Sequence, residues 1–243
     1  MKKKLLPVQK ALNLMLQDFK EVKETERVCI SKCEGRVLAE NIFCNFNIPE
    51  NDNSALDGYA FNYNFVKKNG FKNLKIVGES KPGKPFLGKC SDEQVVRIFT
   101  GAYILNLKSQ HMDTVIMEED CNLENNKIIS MKNIPQKGSN IRKKGEDVRK
   151  HKTIFKKKTK LRIVDVCQLS STGIKTVKVI RKIKVGIFST GDELQNFSQR
   201  KKKYLIYDSN RLVLSLMLQK LNCDVIDLGI IKDDESETMQ KIL

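Results

Sequence analysis

A single carboxylate, Asp57, lies in the segment Asn53-Ser54-Ala55-Leu56-Asp57-Gly58-Tyr59-Ala60, which follows a polar, loop-like stretch of the chain. The segment combines that carboxylate with an aliphatic residue, a glycine and an aromatic residue, a mixture that a purely structural loop rarely needs. A glycine lets a ligand approach the backbone closely, and ligand-binding residues concentrate on loops held by a rigid scaffold. We therefore expect Asp57 to belong to a ligand site.

Two acidic groups follow predicted strands near the end of the sequence: Ser189-Thr190-Gly191-Asp192-Glu193 and Lys232-Asp233-Asp234-Glu235. Because ligands of open parallel sheets bind at the carboxyl ends of the strands, we expect both groups at one edge of a sheet. Thr190 and Gly191 would form an anion pocket lined by backbone groups, and a neighbouring Asp or Glu would hold Mg²⁺ through oxygen ligands. Alternatively, Asp192 and Asp233 cap the helices that follow them.

Two other patterns carry less information. In Asn140–Asp147, three cations precede Gly-Glu-Asp, which fits a loop that binds a charged oxyanion or phosphate but is also common surface chemistry. In Arg97–Ala102, Thr100 places a hydroxyl group and Gly101 a glycine at a strand end. An ordinary turn would contain the same residues.

The elements that must position these residues follow from periodicity. Apolar residues spaced as on one face of a helix predict an amphipathic helix over 8–19. Short β-like runs at 74–77, 94–99, 114–117 and 127–131, separated by Gly, Pro and Asn turns, predict a β-rich unit over 45–139. We also predict a strand at 27–30, a short helix at 36–42 and a helix at 161–172 that ends before Gly173. After residue 180, strand 184–188, helix 210–221 and strand 224–231 predict a right-handed parallel βαβ crossover, with a further helix beginning at 235.

Composition limits the function classes. The chain has 243 residues, of which 40% are hydrophobic and 30% charged, and no apolar run approaches a membrane span, so we expect a soluble cytoplasmic protein. A net charge of +16 suits nucleic acid, but the lysine runs are spread along the whole length without an aromatic-rich basic stripe, and solvated charge is the preferred interpretation. The seven scattered cysteines favour reduced thiols over a zinc site.

Six segments in order resemble the molybdopterin molybdotransferases, the family of MoeA and the gephyrin E domain. Asp52–Ala60 resembles the family's DNSAMDGYA, Ile141–Asp147 its IRRxGED and Ser189–Leu194 its STGDEL. The others are Gly35–Glu40 (GRVLAE), Thr100–Ala102 (MTGAP) and Tyr207–Arg211 (YDSNR). Three features depart from the pattern: Glu50-Asn51 replaces Gly-Phe, Tyr103 replaces a proline, and the sequence stops before the family's SGGVS loop and C-terminal β-domain.

The resemblance implies a multidomain α/β and β fold. Residues 1–45 and 140–180 would form an elongated helix-containing domain, 46–139 an inserted β-rich domain, and 181–243 the start of a doubly wound parallel molybdopterin-binding domain. The implied reaction inserts molybdate into adenylylated molybdopterin with Mg²⁺ and releases AMP. The implied partners are a second copy in a homodimer and the upstream molybdopterin adenylyltransferase, with no nucleic acid or membrane.

By matched position, the resemblance also implies the site residues. Asp57, Thr100 and Asp147 would shape the catalytic side that takes molybdate and the nucleotide. Thr190, Gly191 and Asp192 would bind the cofactor together with Glu193 and Asp233, which would also hold the metal.

Two parallel strands alone leave apolar side chains uncovered, and each exposed side chain loses about 1.5–3 kcal/mol of burial free energy. We therefore expect a fragment or decayed gene product with little activity by itself. A non-catalytic dimeric scaffold of the same fold and, less favoured, a basic nucleic-acid-binding module remain alternatives.

Overall fold

The structure is a computed structural model that describes residues 6–17, 19–70, 73–104 and 111–242. Its helices are α1 (Val8–Gln17), α2 (Tyr63–Asn69), α3 (Ile163–Ser171), α4 (Asn210–Lys220) and α5 (Glu235–Ile242). Its strands are β1 (Thr25–Cys29), β2 (Ile42–Phe43), β3 (Asn53–Ser54), β4 (Gly58–Phe61), β5 (Leu74–Ser80), β6 (Gln94–Ile98), β7 (Thr114–Met117), β8 (Cys121–Glu124), β9 (Lys127–Met131), β10 (Ile141–Arg142), β11 (Thr153–Phe155), β12 (Thr176–Ile180), β13 (Lys184–Thr190), β14 (Leu194–Gln195), β15 (Ile206–Tyr207) and β16 (Asp224–Ile231).

Contacts divide the chain into two compact units, Ile42–Phe155 and the pair of segments Met1–Asn41 and Lys156–Leu243. The first unit extends beyond the β-rich segment predicted at 46–139, because β10 pairs with β3 and β11 pairs with β2. The division into three domains stays a prediction.

The first unit is built on a six-stranded mixed sheet in the order β7-β4-β6-β5-β9-β8. Neighbouring strands are antiparallel except β5 and β6, which run parallel. The predicted strands at 114–117 and 127–131 have the observed bounds, whereas β5 continues from the predicted 74–77 to Ser80. The β-rich prediction for this region is confirmed.

Strand β4 is buried on both faces. Its side chains alternate between two apolar clusters, since Tyr59 and Phe61 pack in one and Ala60 in the other. Gly58 has no room for a side chain, because a Cβ atom there would lie 1.8 Å from the carbonyl oxygen of Ile116 on β7. The strand that follows Asp57 is therefore fixed between β7 and β6.

In the second unit, β1 pairs with β12 in an antiparallel ladder and α3 ends before Gly173, which has a φ of 68°. The helix predicted at 36–42 is wrong. Val37 and Leu38 instead form bridges to Lys160 and Val179, so tertiary pairing overrides a helical pattern. The helix predicted over 8–19 forms as α1 over Val8–Gln17; residue 18 lies outside the described residues, and Phe19 is not helical.

The βαβ prediction is confirmed in its strand direction, because β13 and β16 are parallel and pair from Lys184–Asp224 to Thr190–Ile231. Both strands therefore end at the same edge. In the part of the chain that the structure describes, these two strands form a sheet of their own, and Leu216 of α4 is 56% exposed. None of the described helices is long and apolar enough to cross a membrane.

We predict that Gly58→Ala lowers the free energy of unfolding by about 3 kcal/mol, since the added methyl group overlaps a backbone oxygen that cannot rotate away. Gly186→Ala is the control, because its Cβ would meet only Leu228 Cδ1, at 3.5 Å. Urea unfolding followed by circular dichroism measures both, and equal losses in the two variants would contradict the explanation.

Candidate functional site

Asp57 and Thr100 are in direct contact. Asp57 Oδ1 accepts hydrogen bonds from the backbone nitrogen of Thr100, at 2.7 Å, and from Thr100 Oγ1, at 2.6 Å. Both residues are exposed. The predicted pair therefore forms a rigid, solvent-facing carboxylate and hydroxyl.

Hydrogen bonds from Thr100, first from its hydroxyl and then from its backbone, lower the pKa of Asp57. The guanidinium of Arg97 adds a smaller effect in the same direction. Asp57 is therefore ionised at neutral pH. It can accept hydrogen bonds or bind a cation, but it has no proton to donate.

Backbone hydrogen bonds join the segments that carry these two residues. The carbonyl oxygen of Ser54 accepts from Gly101 at 2.8 Å, and the backbone nitrogen of Ser54 donates to Ala102 at 3.0 Å. Gly101 has a φ of 79°, which a glycine adopts without strain. The turn predicted at Thr100-Gly101 thus holds the hydroxyl against Asp57.

The third segment, with Asp147, lies in the same unit. Ile141 pairs with Ser54 and Arg142 with Asn53, so this loop begins beside the segment that leads to Asp57. Arg142 Nη2 donates to Asp147 Oδ1 at 2.6 Å. Asp147 therefore holds a cation at the site.

Arg142 belongs to the constellation read from the sequence but was not among the predicted site residues. Its hydrogen bond to Asp147 raises the pKa of its guanidinium. The signal that could have identified it is its spacing, because acids four and five residues later can fold back onto a turn cation. Gly145, with a φ of 73°, allows that turn.

Asn53 is a second residue that sequence reasoning missed. Its side chain is 8% exposed, and its Oδ1 atom accepts no hydrogen bond from the described residues. A buried acceptor costs free energy unless a donor from water or a ligand reaches it.

The remaining predicted residues lie in the other unit, at the carboxyl edge of β13 and β16. Thr190 pairs with Ile231, and the backbone nitrogen of Gly191 donates to the Ile231 carbonyl at 3.4 Å. Gly191 has a φ of 146°, and a Cβ atom there would lie 2.6 Å from Glu193 Oε2. The Glu193 carboxylate is therefore folded back over the glycine.

The helix-cap alternative for Asp192 and Asp233 is wrong. Asp192 precedes strand β14 rather than a helix. At the start of α5, the backbone oxygen that accepts from Thr238 belongs to Asp234. Both carboxylates remain exposed at the strand edge.

The donor set predicted for Mg²⁺ at this edge consists of two exposed carboxylates, those of Glu193 and Asp233. No cluster of three or more His, Cys, Asp or Glu side chains that could hold a metal occurs among the described residues. Mg²⁺ usually binds through one or two carboxylates together with substrate phosphates and water. Glu193 and Asp233, near the paired Thr190 and Ile231, fit that pattern.

An ion triad lies behind the strand edge, with Arg211 and Asp208 buried and Asp227 half exposed. Arg211, 6% exposed, donates through Nε to Asp208 Oδ2 at 2.8 Å and through Nη1 to Asp227. Burial by itself would raise the pKa of Asp208, but hydrogen bonds from Arg211 and Ser189 outweigh it and lower the pKa. Because Ser189 precedes Thr190, the triad connects α4 and β16 to the end of β13.

Comparison with known proteins decides the family. The profile of the MoeA N-terminal region (domain I and II) matches residues 6–173. The chain belongs to the MoeA family. It is 36% identical over 233 residues to the molybdopterin molybdenumtransferase of Haemophilus influenzae and 31% identical over 226 residues to that of a Nostoc species. These alignments cover 96% and 90% of the chain but 56% and 51% of the relatives.

A solved structure supports the MoeA-like α/β fold. The MoeA protein of Pyrococcus horikoshii OT3 matches with a TM-score of 0.83 and 32% identity, covering 98% of this chain and 63% of that one. The family resemblance read from the sequence is thereby confirmed. The chain spans about half the length of the curated relatives.

We predict that Thr100→Val raises the pKa of Asp57 toward its ordinary value, because one of the two hydrogen bonds is lost. Because the pKa of Asp57 is lower in the folded protein than in the unfolded chain, the pair stabilises the fold at pH values above the unfolded-state pKa. That stabilisation disappears below about pH 4, as the pH falls through the pKa of Asp57 in the folded protein. NMR titration of the Asp57 carboxyl carbon measures the shift. Thr100→Ser keeps the hydroxyl and should titrate like the parent protein.

We further predict that Arg211→Met costs about 3–5 kcal/mol of unfolding free energy, because Asp208 stays buried without its partner cation. Lys220→Met removes an exposed cation from the same helix and should cost less than about 0.5 kcal/mol. Adding Asp208→Asn to Arg211→Met should restore part of the loss in urea unfolding. Failure to restore any would show that the buried charge is not the cause.

Proposed function

We propose that the whole protein is a molybdopterin molybdotransferase of molybdenum cofactor biosynthesis, which inserts molybdate into adenylylated molybdopterin and releases AMP. The observation that carries the proposal is the Asp57–Thr100 pair, held rigidly in the segments that match the family. The names of the relatives from Haemophilus influenzae and Nostoc support the same reaction class. The chain spans about half of their length, so the proposal concerns the full-length protein.

The described residues suggest a division of labour. Arg142, fixed by Asp147, supplies positive charge for molybdate or a phosphate group. The ionised Asp57 and the Thr100 hydroxyl offer an acceptor and a donor that orient the attacking or leaving oxygen. These roles require no rearrangement of the loops, because backbone hydrogen bonds that join Ser54 to Gly101 and Ala102 already fix the loop positions.

At the other site, Thr190, Gly191 and Asp192 would contact the cofactor. Glu193 and Asp233 would hold Mg²⁺, which would neutralise the phosphate oxygens of the substrate. The homodimer, the molybdopterin adenylyltransferase partner, the lack of nucleic-acid binding and the reduced activity of this stretch alone stay predictions.

We predict that Asp57→Ala or Glu193→Ala in the full-length protein lowers cofactor formation by about 100-fold or more, since each removes a group proposed to act directly on substrate or metal. Transfer of molybdate is measured by reconstitution of a molybdoenzyme from purified components. Glu124→Ala removes an exposed carboxylate from β8 and serves as the control. Full activity in both site variants would refute the assignment, provided that their unfolding curves match the parent protein.

A further inference from the structure

A strongly cationic loop joins β14 to β15. This segment, residues 196–205, contains Arg200, Lys201, Lys202 and Lys203 and no acidic residue, and all four cations are exposed. No salt bridge within the described part of the chain involves them. We call the segment the basic loop.

Two aromatic rings lie beside these cations. Lys203 Nζ lies 4.9 Å from the ring centre of Tyr204, and Lys201 Nζ lies 5.4 Å from that of Tyr207. Tyr204 is 85% exposed and has a left-handed φ of 67°, so its ring points away from the apolar interior. The basic loop therefore offers both positive charge and ring faces.

The basic loop is held from inside by a buried amide. Gln195, 2% exposed, accepts a hydrogen bond from the backbone nitrogen of Lys202 at 2.8 Å. The same side chain donates to the carbonyl oxygen of Arg200 at 3.5 Å. Tyr207 adds a hydrogen bond to the Gln199 carbonyl at 3.3 Å. The cations are therefore presented on an ordered backbone, which lowers the entropic cost of binding an anion.

Both ends of the basic loop lie at the edge that carries Thr190 and Glu193. The backbone nitrogen of Ile206 donates to the Glu193 carbonyl at 2.7 Å, and Leu194 pairs with Ile206. After the loop, Asp208 accepts a hydrogen bond from Ser189. The two ends of the basic loop are therefore fixed beside the segment that carries the predicted anion pocket.

We propose that the basic loop binds the phosphate groups of a nucleotide-type ligand occupying the carboxyl edge of β13 and β16. This inference rests on the proposed function, since adenylylated molybdopterin is such a ligand. Unpaired exposed cations attract phosphate oxygens, and an exposed tyrosine ring can stack on a planar heterocycle.

A small phosphate ester fits better than a nucleic-acid strand. Single strands bind along extended grooves that combine charge with successive stacking rings. Elsewhere in the same unit, the run Lys156-Lys157-Lys158 differs from the basic loop, because Lys158 Nζ is paired with Glu21 Oε1 at 2.9 Å. The run at 156–158 thus has an acidic partner, whereas the salt bridges of the described residues include none to the basic loop.

The test compares two triple variants of this chain that remove the same charge. Lys201, Lys202 and Lys203 are changed to Gln in one, and Lys156, Lys157 and Lys158 are changed to Gln in the other. Binding of a fluorescent methylanthraniloyl-ADP is followed by anisotropy with Mg²⁺ at about 50 and about 200 mM KCl. The first triple should weaken binding about tenfold and reduce its salt dependence, while the second changes it less than about twofold.

Three results would overturn the proposal. The unaltered chain could fail to bind the labelled ADP, the two triples could weaken it equally, or the 201–203 triple could weaken only a labelled oligothymidylate. The last result would instead identify a nucleic-acid contact. Matching urea midpoints establish that the variants fold. If only the 201–203 triple loses ADP binding and the unaltered full-length protein does not transfer molybdate, the loop assignment is supported and the proposed reaction is refuted.

Discussion

The backbone at Asn53 and Ser54 is the junction on which the first site depends. This two-residue strand pairs with Ile141–Arg142 on one side and exchanges hydrogen bonds with Gly101 and Ala102 on the other. Three loops distant in sequence are thereby held together by main-chain groups. Because such bonds do not depend on side-chain identity, the surface residues around them can vary while the positions of Asp57, Thr100 and Arg142 are kept.

The second site is positioned by a different kind of interaction. At the edge of β13 and β16, the fixing element is a buried guanidinium between two carboxylates rather than a continuous ladder. Buried ion pairs contribute little net stability but penalise any arrangement that separates them. Arg211 therefore selects one geometry for the edge, which a two-stranded sheet could not enforce through apolar packing alone.

Much of this architecture could be predicted from residue patterns, and the failures have physical causes. Short β-like runs between turn residues gave β7 and β9 with correct bounds, and the strand predicted at 224–231 has the bounds of β16. The apolar run at 184–188 together with that strand correctly predicted parallel strands. Residues 36–42 failed because their bridges go to Lys160 and Val179, more than 100 positions away. The family resemblance assigned Asp57 and Thr100 to one site but did not predict their contact, since spacing cannot reveal a hydrogen bond across 43 residues. Arg142 was missed because its role depends on its hydrogen bond to Asp147. Asn53 was missed because what marks it is a buried oxygen that accepts no hydrogen bond from the described residues.

The uncovered face of α4 gives the isolated chain a distinctive colloidal behaviour. Leu212 and Leu216 of α4 are 41% and 56% exposed, and Leu221, which follows the helix, is 68% exposed, on a molecule whose net charge is +16. At low ionic strength, mutual repulsion keeps such molecules apart although their apolar surfaces would attract. The screening length falls from about 10 Å at 0.1 M salt to about 3 Å at 1 M. Sulfate and phosphate also strengthen apolar association. Salting-out therefore begins at the salt concentration at which charge repulsion no longer acts between the α4 helices of neighbouring molecules.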